Sequence, residues 1–262
     1  MTIISVIIPT YMEEKYIEKT LRSIREQNFD GRIEIVVCDS YSKDNTVNIA
    51  AKYADMIVFV KERGIARGRN AGLKLAKGDI VLFVDADTIL FRNAIQVIMH
   101  EMKDDVVGVC PIVLGYEGSS KHHVFHQIVN FLMIVFDKIG LPLFHSMCVA
   151  YKKDILLKLN GYRENIQPAE DIDMSIRASR LGKCKVINRP LAAVSLRRLK
   201  KYGILGALAM QLPAYLEVFL YKKQRLKHIY PHVEERKIPM YVLIKHAIKK
   251  LFRLMFIGKY AN

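Results

Sequence analysis

The run GIARGRNAGLKLAKGDIVLFVDADT, residues 64–88, carries the reading of the fold. Residues 67–76 have a helical composition that stops at Lys77-Gly78, and residues 80–84, IVLFV, are apolar without interruption. A strand with one wet face alternates polar and apolar side chains, whereas one covered on both faces by helices does not. Two carboxylates, Asp85 and Asp87, follow this strand directly. They emerge together at its carboxyl end, where their charges repel unless a cation sits between or beside them. Hard oxygen ligands suit Mg²⁺ or Mn²⁺, which commonly complete their shells with water and substrate phosphates.

The same pattern recurs toward the N-terminus. Residues 3–8 and 33–38 are short runs rich in β-branched side chains, each followed by polar residues. Between them, residues 14–27 place Ile17, Leu21 and Ile24 at helical spacing, and Asp44 can cap a helix carrying Val47, Ile49 and Ala50. This alternation predicts an α/β fold with a mostly parallel sheet flanked by helices, in which ligands gather at the carboxyl ends of the strands. Those ends are Pro9-Thr10-Tyr11, Asp39-Ser40 and Asp85-Ala86-Asp87. Further on come an apolar stretch over residues 123–144, an acidic turn at Glu170-Asp171-Ile172-Asp173, and a helical pattern over 174–181.

At 262 residues the chain can form one large domain, or a domain of about 200 residues with an appendage. The formal charge of +15 is unevenly spread: residues 197–262 hold fifteen Lys/Arg against three Glu, so residues 1–196 are close to balanced. A basic tail on a balanced body points to nucleic acid or anionic lipid as partner. The tail lacks the aromatic and basic interleaving of a nucleic-acid module, and the acidic clusters would repel a phosphate backbone, so lipid is the expected partner. Residues 203–221 are apolar but interrupted by Gln211, Pro213 and Glu217, just short of a preferred spanning length. Residues 240–255 set Leu243, Ile244, Ala247, Ile248, Leu251 and Phe252 against Lys245, Lys249, Lys250 and Arg253, a basic amphipathic helix suited to a membrane interface. The expected division is a body over 1–196 and a basic helical extension over 197–262.

Cys38, Cys110, Cys148 and Cys184 form no C-x-x-C pair and read as buried reduced thiols. The apolar opening follows no basic region and ends at Pro9, so it reads as a strand and not as a secretory signal. The expected location is cytoplasmic, peripherally attached to the inner face of the cell membrane.

Taken with SVIIPTY from Ser5 and IVVCDSYSKDNT from Ile35, residues 64–88 resemble the family 2 glycosyltransferases and their type A fold. The family string VVDSGSTDGT aligns with residues 37–46 when Cys38 takes the place of its second valine. The resemblance implies that Asp39 contacts the nucleobase, with a turn carboxylate as the alternative, that Pro9, Thr10 and Tyr11 flank the base, and that Arg69 matches the arginine of an A-R-N element. Asp85 and Asp87 match the metal and ribose motif, with Mn²⁺ or Mg²⁺ as cofactor. Such an ion would neutralise the diphosphate leaving group. Arg63 and Arg67 flank the same loop as further candidates for the diphosphate.

The segment AEDIDMSIRASRLG, residues 169–182, resembles the family's G-E-D-x-D-L-x-x-R motif. There Asp171 matches the general base that would take the acceptor hydroxyl's proton, with Glu170 and Asp173 in support. Glu170 and Asp173 could instead cap the following helix or pair with Arg177. Two departures are Ala169 for the motif's glycine and Met12 for a common asparagine. Residues 143–162 resemble the stretch beneath the acceptor; His145 in it reads as a core or supporting group. The resemblance covers residues 3–195. It implies inverting transfer from a nucleotide-sugar, a UDP-sugar foremost, to a hydroxyl of a lipid-linked or surface saccharide. The alternative is a polyprenyl-phosphate glycosyltransferase using GDP-mannose or UDP-glucose, whose anionic acceptor has little need of a base; a basic nucleic-acid-binding protein is remote.

Overall fold

The computed structural model describes residues 2–221, 230–232 and 237–257, with backbone alone for 255–257. Along the chain come β1 (Ile3–Thr10), α1 (Ile17–Arg25), β2 (Arg32–Asp39), α2 (Thr46–Ala50), β3 (Met56–Phe59), α3 (Ile65–Leu75), β4 (Ile80–Val84), β5 (Thr88–Leu90) and α4 (Ala94–Glu101). There follow β6 (Val106–Tyr116), α5 (Ser120–Lys138), β7 (Cys148–Lys152), α6 (Lys153–Lys158), α7 (Glu170–Ala178), β8 (Lys183–Ser195), α8 (Arg197–Tyr221) and α9 (Met240–Ile257).

The strands form one sheet in the order β3-β2-β1-β4-β7-β6-β8-β5. β1 pairs in parallel with β2 and β4, and β2 with β3, as the three apolar runs predict. β7 then runs against both β4 and β6, β8 is parallel to β6, and β5 is antiparallel to β8. Six strands thus share a direction and β5 and β7 oppose it. The sheet is mostly parallel in sense, but mixed at the β7 seam.

Both faces are covered. Ile4, Val6 and Ile8 of β1 pack with Ile17, Leu21 and Ile24 of α1 and Ile95 and Ile98 of α4. Ile7, on the opposite face, packs with Leu73 of α3 and Met174 of α7. The alternation follows from the two-residue repeat of a strand. α3 lies close to the sheet because it presents glycines: a Cβ on Gly72 would stand 2.4 Å from Ile7 Cγ2 and 3.0 Å from Cys38 Sγ.

Three sequence expectations change in detail. The acidic turn at 170–173 is the first turn of α7, where the positive end of the helix dipole favours carboxylates. The stretch 123–144 is chiefly α5, which buries His122, His126, Asn130 and Met133 and leaves an apolar stripe outside. Residues 203–221 belong to α8, which starts at Arg197 and is broken at Gly203 (φ 68°, ψ 173°). α8 is the described helix long and apolar enough to cross a membrane, by length and composition only. Its Leu199 and Ala207 join the core of the sheet, and its Glu217 is fully buried. Of the basic tail, Lys222, Lys223, Arg225, Lys227, Arg236 and Lys259 lie outside the described residues.

Candidate active site

The reversed β7 determines what meets the two carboxylates. Val84 at the end of β4 pairs with Cys148 at the start of β7, and Asp85 N–H donates to Met147 C=O at 3.2 Å. Ser146 therefore arrives beside Asp85. α7 begins at the same edge of the sheet, and one cavity of about 660 Å³ is lined by Pro9, Thr10, Tyr11, Arg69, Asp85, Asp87, Ser146, Glu170 and Asp171. Of the residues singled out from sequence, this cavity gathers all but Asp39, Asp173 and Arg67.

Arg69 joins the two ends of the cavity. Its guanidinium, 1% exposed, donates to Asp85 Oδ1 at 3.1 Å, Glu170 Oε1 at 2.9 Å and Ser146 Oγ at 2.7 Å. Burial opposes its charge, but Tyr162, Asp85, Glu170 and Asp171 around it outweigh that and raise its pKa. Ser146 Oγ in turn lies 3.5 Å from Asp171 Oδ2. Asp171 also accepts from the Ile172 N–H at 2.8 Å. Burial, reinforced by the adjacent Glu170, pushes Asp171 up to about 7. That is the range in which a carboxylate acts as a base at neutral pH.

Asp87 has a partner that the local sequence did not reveal. Arg197, the first residue of α8, donates to Asp87 Oδ2 at 2.8 Å and to Glu13 Oε1 at 2.6 Å, with its guanidinium 4.5 Å from the Tyr16 ring centre. β8 delivers it, because Ser195 N–H donates to Asp87 C=O at 3.1 Å. Burial still pushes Asp87 up to about 7, against the pull of Arg197. Burial likewise raises Asp85, against Arg69.

On the β1–β2 side, Thr10 Oγ1 donates to Asp39 Oδ1 at 3.0 Å, and Ser42 donates to the same carboxylate from its N–H at 2.7 Å and its hydroxyl at 2.6 Å. Asp39 is fully buried, so in this arrangement it fixes the Ser40–Ser42 turn behind the wall instead of presenting an open carboxylate. Tyr11 lies under the Arg63 guanidinium at 3.8 Å and meets the His232 ring edge-on at 5.2 Å.

Asp173 and Arg67 sit outside the cavity. Asp173 is a structural group, pairing with Arg177 at 2.7 Å and Arg163 at 3.0 Å. Arg67 is held by Glu62 and by Glu164 at 3.2 Å. His145 does line the cavity, but burial lowers its pKa to about 3 and keeps it neutral. Ala169, in place of the motif's glycine, holds φ 103°, a backbone region that disfavours side chains. The four thiols are unpaired, and burial pushes Cys38, Cys148 and Cys184 up to about 12, so they stay protonated. Glu13, Ser146 and Arg197 were missed. Ser146 had a signal in the 143–162 stretch, where it directly follows His145.

A divalent cation fits these residues. Glu13, Asp85, Asp87, Glu170 and Asp171 bring five carboxylates to a cavity in which Arg69 and Arg197 are the paired cations, and Glu13 Oε2 is buried without a hydrogen-bond partner among the described residues. Among the described residues no group of three or more His, Cys, Asp or Glu is placed to hold a metal ion by itself. An ion that keeps waters and takes oxygens from a diphosphate needs no such group.

The profile of glycosyl transferase family 2 matches residues 5–159. The chain belongs to that family. Two curated members show how the likeness is distributed. An uncharacterized glycosyltransferase of Bacillus subtilis (strain 168), YfnE, is 36% identical over 113 residues, 40% of this chain and 29% of its own length. The poly(ribitol-phosphate) beta-N-acetylglucosaminyltransferase TarS of Staphylococcus aureus is 37% identical over 99 residues, 35% of this chain. The match spans 17% of TarS, so this chain covers less than a third of either of these two relatives. Among solved structures, the mannosyltransferase PcManGT of Pyrobaculum calidifontis, in complex with GDP-Man and Mn²⁺, superposes with a TM-score of 0.71 at 21% identity over 96% of this chain and 74% of its own. TarS residues 1–349 with UDP superpose at 0.59 and 22% identity, covering 85% and 73%. These likenesses show that the fold shared with both structures extends beyond residues 5–159.

Proposed function

We propose that this family 2 member transfers a sugar from a nucleotide-sugar, a UDP-sugar foremost, to a hydroxyl on a saccharide acceptor, with inversion at the anomeric carbon. The observation that carries the reading is a single cavity with Asp85 and Asp87 at one strand end and Asp171 at a helix start, bridged through Arg69 and Ser146. Asp85 and Asp87 would hold Mn²⁺ or Mg²⁺, which when bound offsets the charge of the departing diphosphate. Pro9, Thr10 and Tyr11 form the nucleobase wall, shaped from behind by Asp39 through Thr10 and Ser42. Arg63, above Tyr11, supplies a cation on the same side. Asp171 takes the acceptor hydroxyl's proton as that oxygen attacks from the face opposite the nucleotide, and inversion follows. PcManGT with GDP-Man and Mn²⁺ and TarS with UDP support both the donor class and the cation.

The raised pKa of Asp171 favours a hydroxyl acceptor over a polyprenyl phosphate, whose oxygen is already anionic. α9 exposes Tyr241, Ile244, Ile248 and Phe252 beside Lys245, Lys249 and Arg253, which supports a location on the anionic inner face of the cell membrane. The test is donor hydrolysis and thermal shift with UDP- and GDP-sugars, each with and without Mn²⁺. Cation-dependent stabilisation by one donor class is expected, and no response to any nucleotide-sugar refutes the reading.

A further inference from the structure

The catalytic cavity has two kinds of wall. Opposite in character to the carboxylates and Arg69 are Val129, Leu132 and Phe136 of α5 and Leu208 and Leu212 of α8, which line the same space. Four of these open outward as well: Val129 is 37% exposed, Leu132 45%, Leu208 38% and Leu212 43%. The apolar wall therefore continues onto the surface instead of closing into the core. Of the 21 large apolar side chains exposed among the described residues, 16 lie on α5 with its C-cap Ile139, on α8 and on α9. Their concentration on adjacent helices separates this face from the scattered apolar residues that any surface carries.

The charges that α8 leaves in reach of solvent are all positive. Arg197 and Arg198 at the start of α8 line the cavity, Lys200 follows in the open, and the single acidic residue of α8, Glu217, is fully buried. A wholly water-soluble saccharide would leave the apolar wall wet, at about 25 cal/mol for each Å² left uncovered. An amphiphile with an anionic head and a hydrocarbon chain matches both the wall and the cations.

We infer that the groove between α5 and α8 binds the lipid chain of an acceptor whose sugar is joined to that chain through phosphate, with Arg198 as the cation for the phosphate. This names the acceptor class of the transfer proposed above and rests on that reading for the position of the reacting sugar. The lipid chain lies against Val129, Leu132, Leu208 and Leu212, and the saccharide end reaches Asp171.

The protein contains no tryptophan, so one introduced indole is a unique reporter. L132W and, as a second position, L212W place it on the groove; F59W places it at the end of β3, a strand at the opposite edge of the sheet. The probe is farnesyl phosphate carrying dansyl on its terminal isoprene unit, below its micelle concentration. Saturable energy transfer from L132W or L212W is expected, displaced by unlabelled farnesyl phosphate, not by inorganic phosphate, and absent from F59W. R198Q is expected to weaken farnesyl phosphate about tenfold and leave farnesol unchanged. No transfer from either groove reporter, equal transfer from F59W, or a signal lost as the protein self-associates overturns the inference, the last by giving the groove to a second copy. Nucleotide thermal shifts on the same variants separate the two readings. Lipid binding without donor binding sinks the transferase reading alone, and donor binding without lipid binding sinks this one alone.

Discussion

Arg197 Nε donates to Asp87 Oδ2 at 2.8 Å across 110 positions of sequence, so the first residue of α8 occupies one oxygen of a carboxylate that the motif assigns to a cation. The same guanidinium holds Glu13 at 2.6 Å. All three side chains are at most 12% exposed, which makes this a buried triad. Removing the central cation leaves two carboxylates uncompensated and costs about 3 kcal/mol. R197Q should therefore unfold at lower urea concentration than the parent, and Mn²⁺ should restore more stability to the variant than it adds to the parent. Urea titrations with and without Mn²⁺ check both parts.

Asp171 touches neither Asp85 nor Asp87 by hydrogen bond, so its removal should separate chemistry from donor binding. D171N is expected to lower kcat by about 10²- to 10⁴-fold with the donor Kd within a few-fold of the parent. Steady-state transfer and calorimetric titration of the donor measure the two quantities. Near-parental kcat would instead favour an acceptor that is already an anion.

The pKa of Asp171, raised by burial from the ordinary carboxylate range to about 7, fixes the sign of two pH effects. Below pH 7 the carboxyl is protonated and cannot accept the hydroxyl's proton, so kcat/KM should rise tenfold per pH unit up to about pH 7 and then level. Stability moves the other way. Between the unfolded value and about 7 the folded state binds more protons, so this group makes folding less favourable as pH rises through that window. In D171N both dependences should weaken, as pH–rate profiles and urea titrations at several pH values will report.

Gly72 sets how closely α3, and with it Arg69, approaches the sheet. An alanine there gains helix propensity of about 1 kcal/mol but places its Cβ 2.4 Å from Ile7 Cγ2 in a fully buried layer. Overpacking wins: G72A should be destabilised by about 1–2 kcal/mol and lose donor affinity as Arg69 shifts. A denaturant midpoint equal to the parent's would show that the layer yields.

The strands with uninterrupted β-branched runs, β1, β2 and β4, were legible in sequence to within two residues at each end, because burial on both faces leaves no other composition. β6 and β8 were not. β6 carries Gly108 and Pro111 and β8 carries Arg189-Pro190, and their pairing shifts register between Val106 and Gly108 and again around Ile112. Such irregular pairing erases the two-residue period that a sequence reading depends on. In the site, Asp85, Asp87, Arg69, Glu170 and Asp171 were legible because each belongs to a contiguous motif. Glu13 and Arg197 were not, since an ion pair between distant segments imposes no local pattern. Asp173 shows the opposite limit: it stands inside the motif, yet its oxygens are committed to Arg163 and Arg177.

The opposed course of β7 also marks out a region for handling the molecule. Because the strand starts at the carboxylate edge, its far end and α6 emerge at the other edge, where Lys153 N–H donates to Asp79 C=O ahead of β4. Lys158 at the end of α6, with 65% of its side chain in solvent, does not line the cavity. A dye, an affinity handle or a surface tether attached at that lysine leaves the entrance on the opposite rim unobstructed.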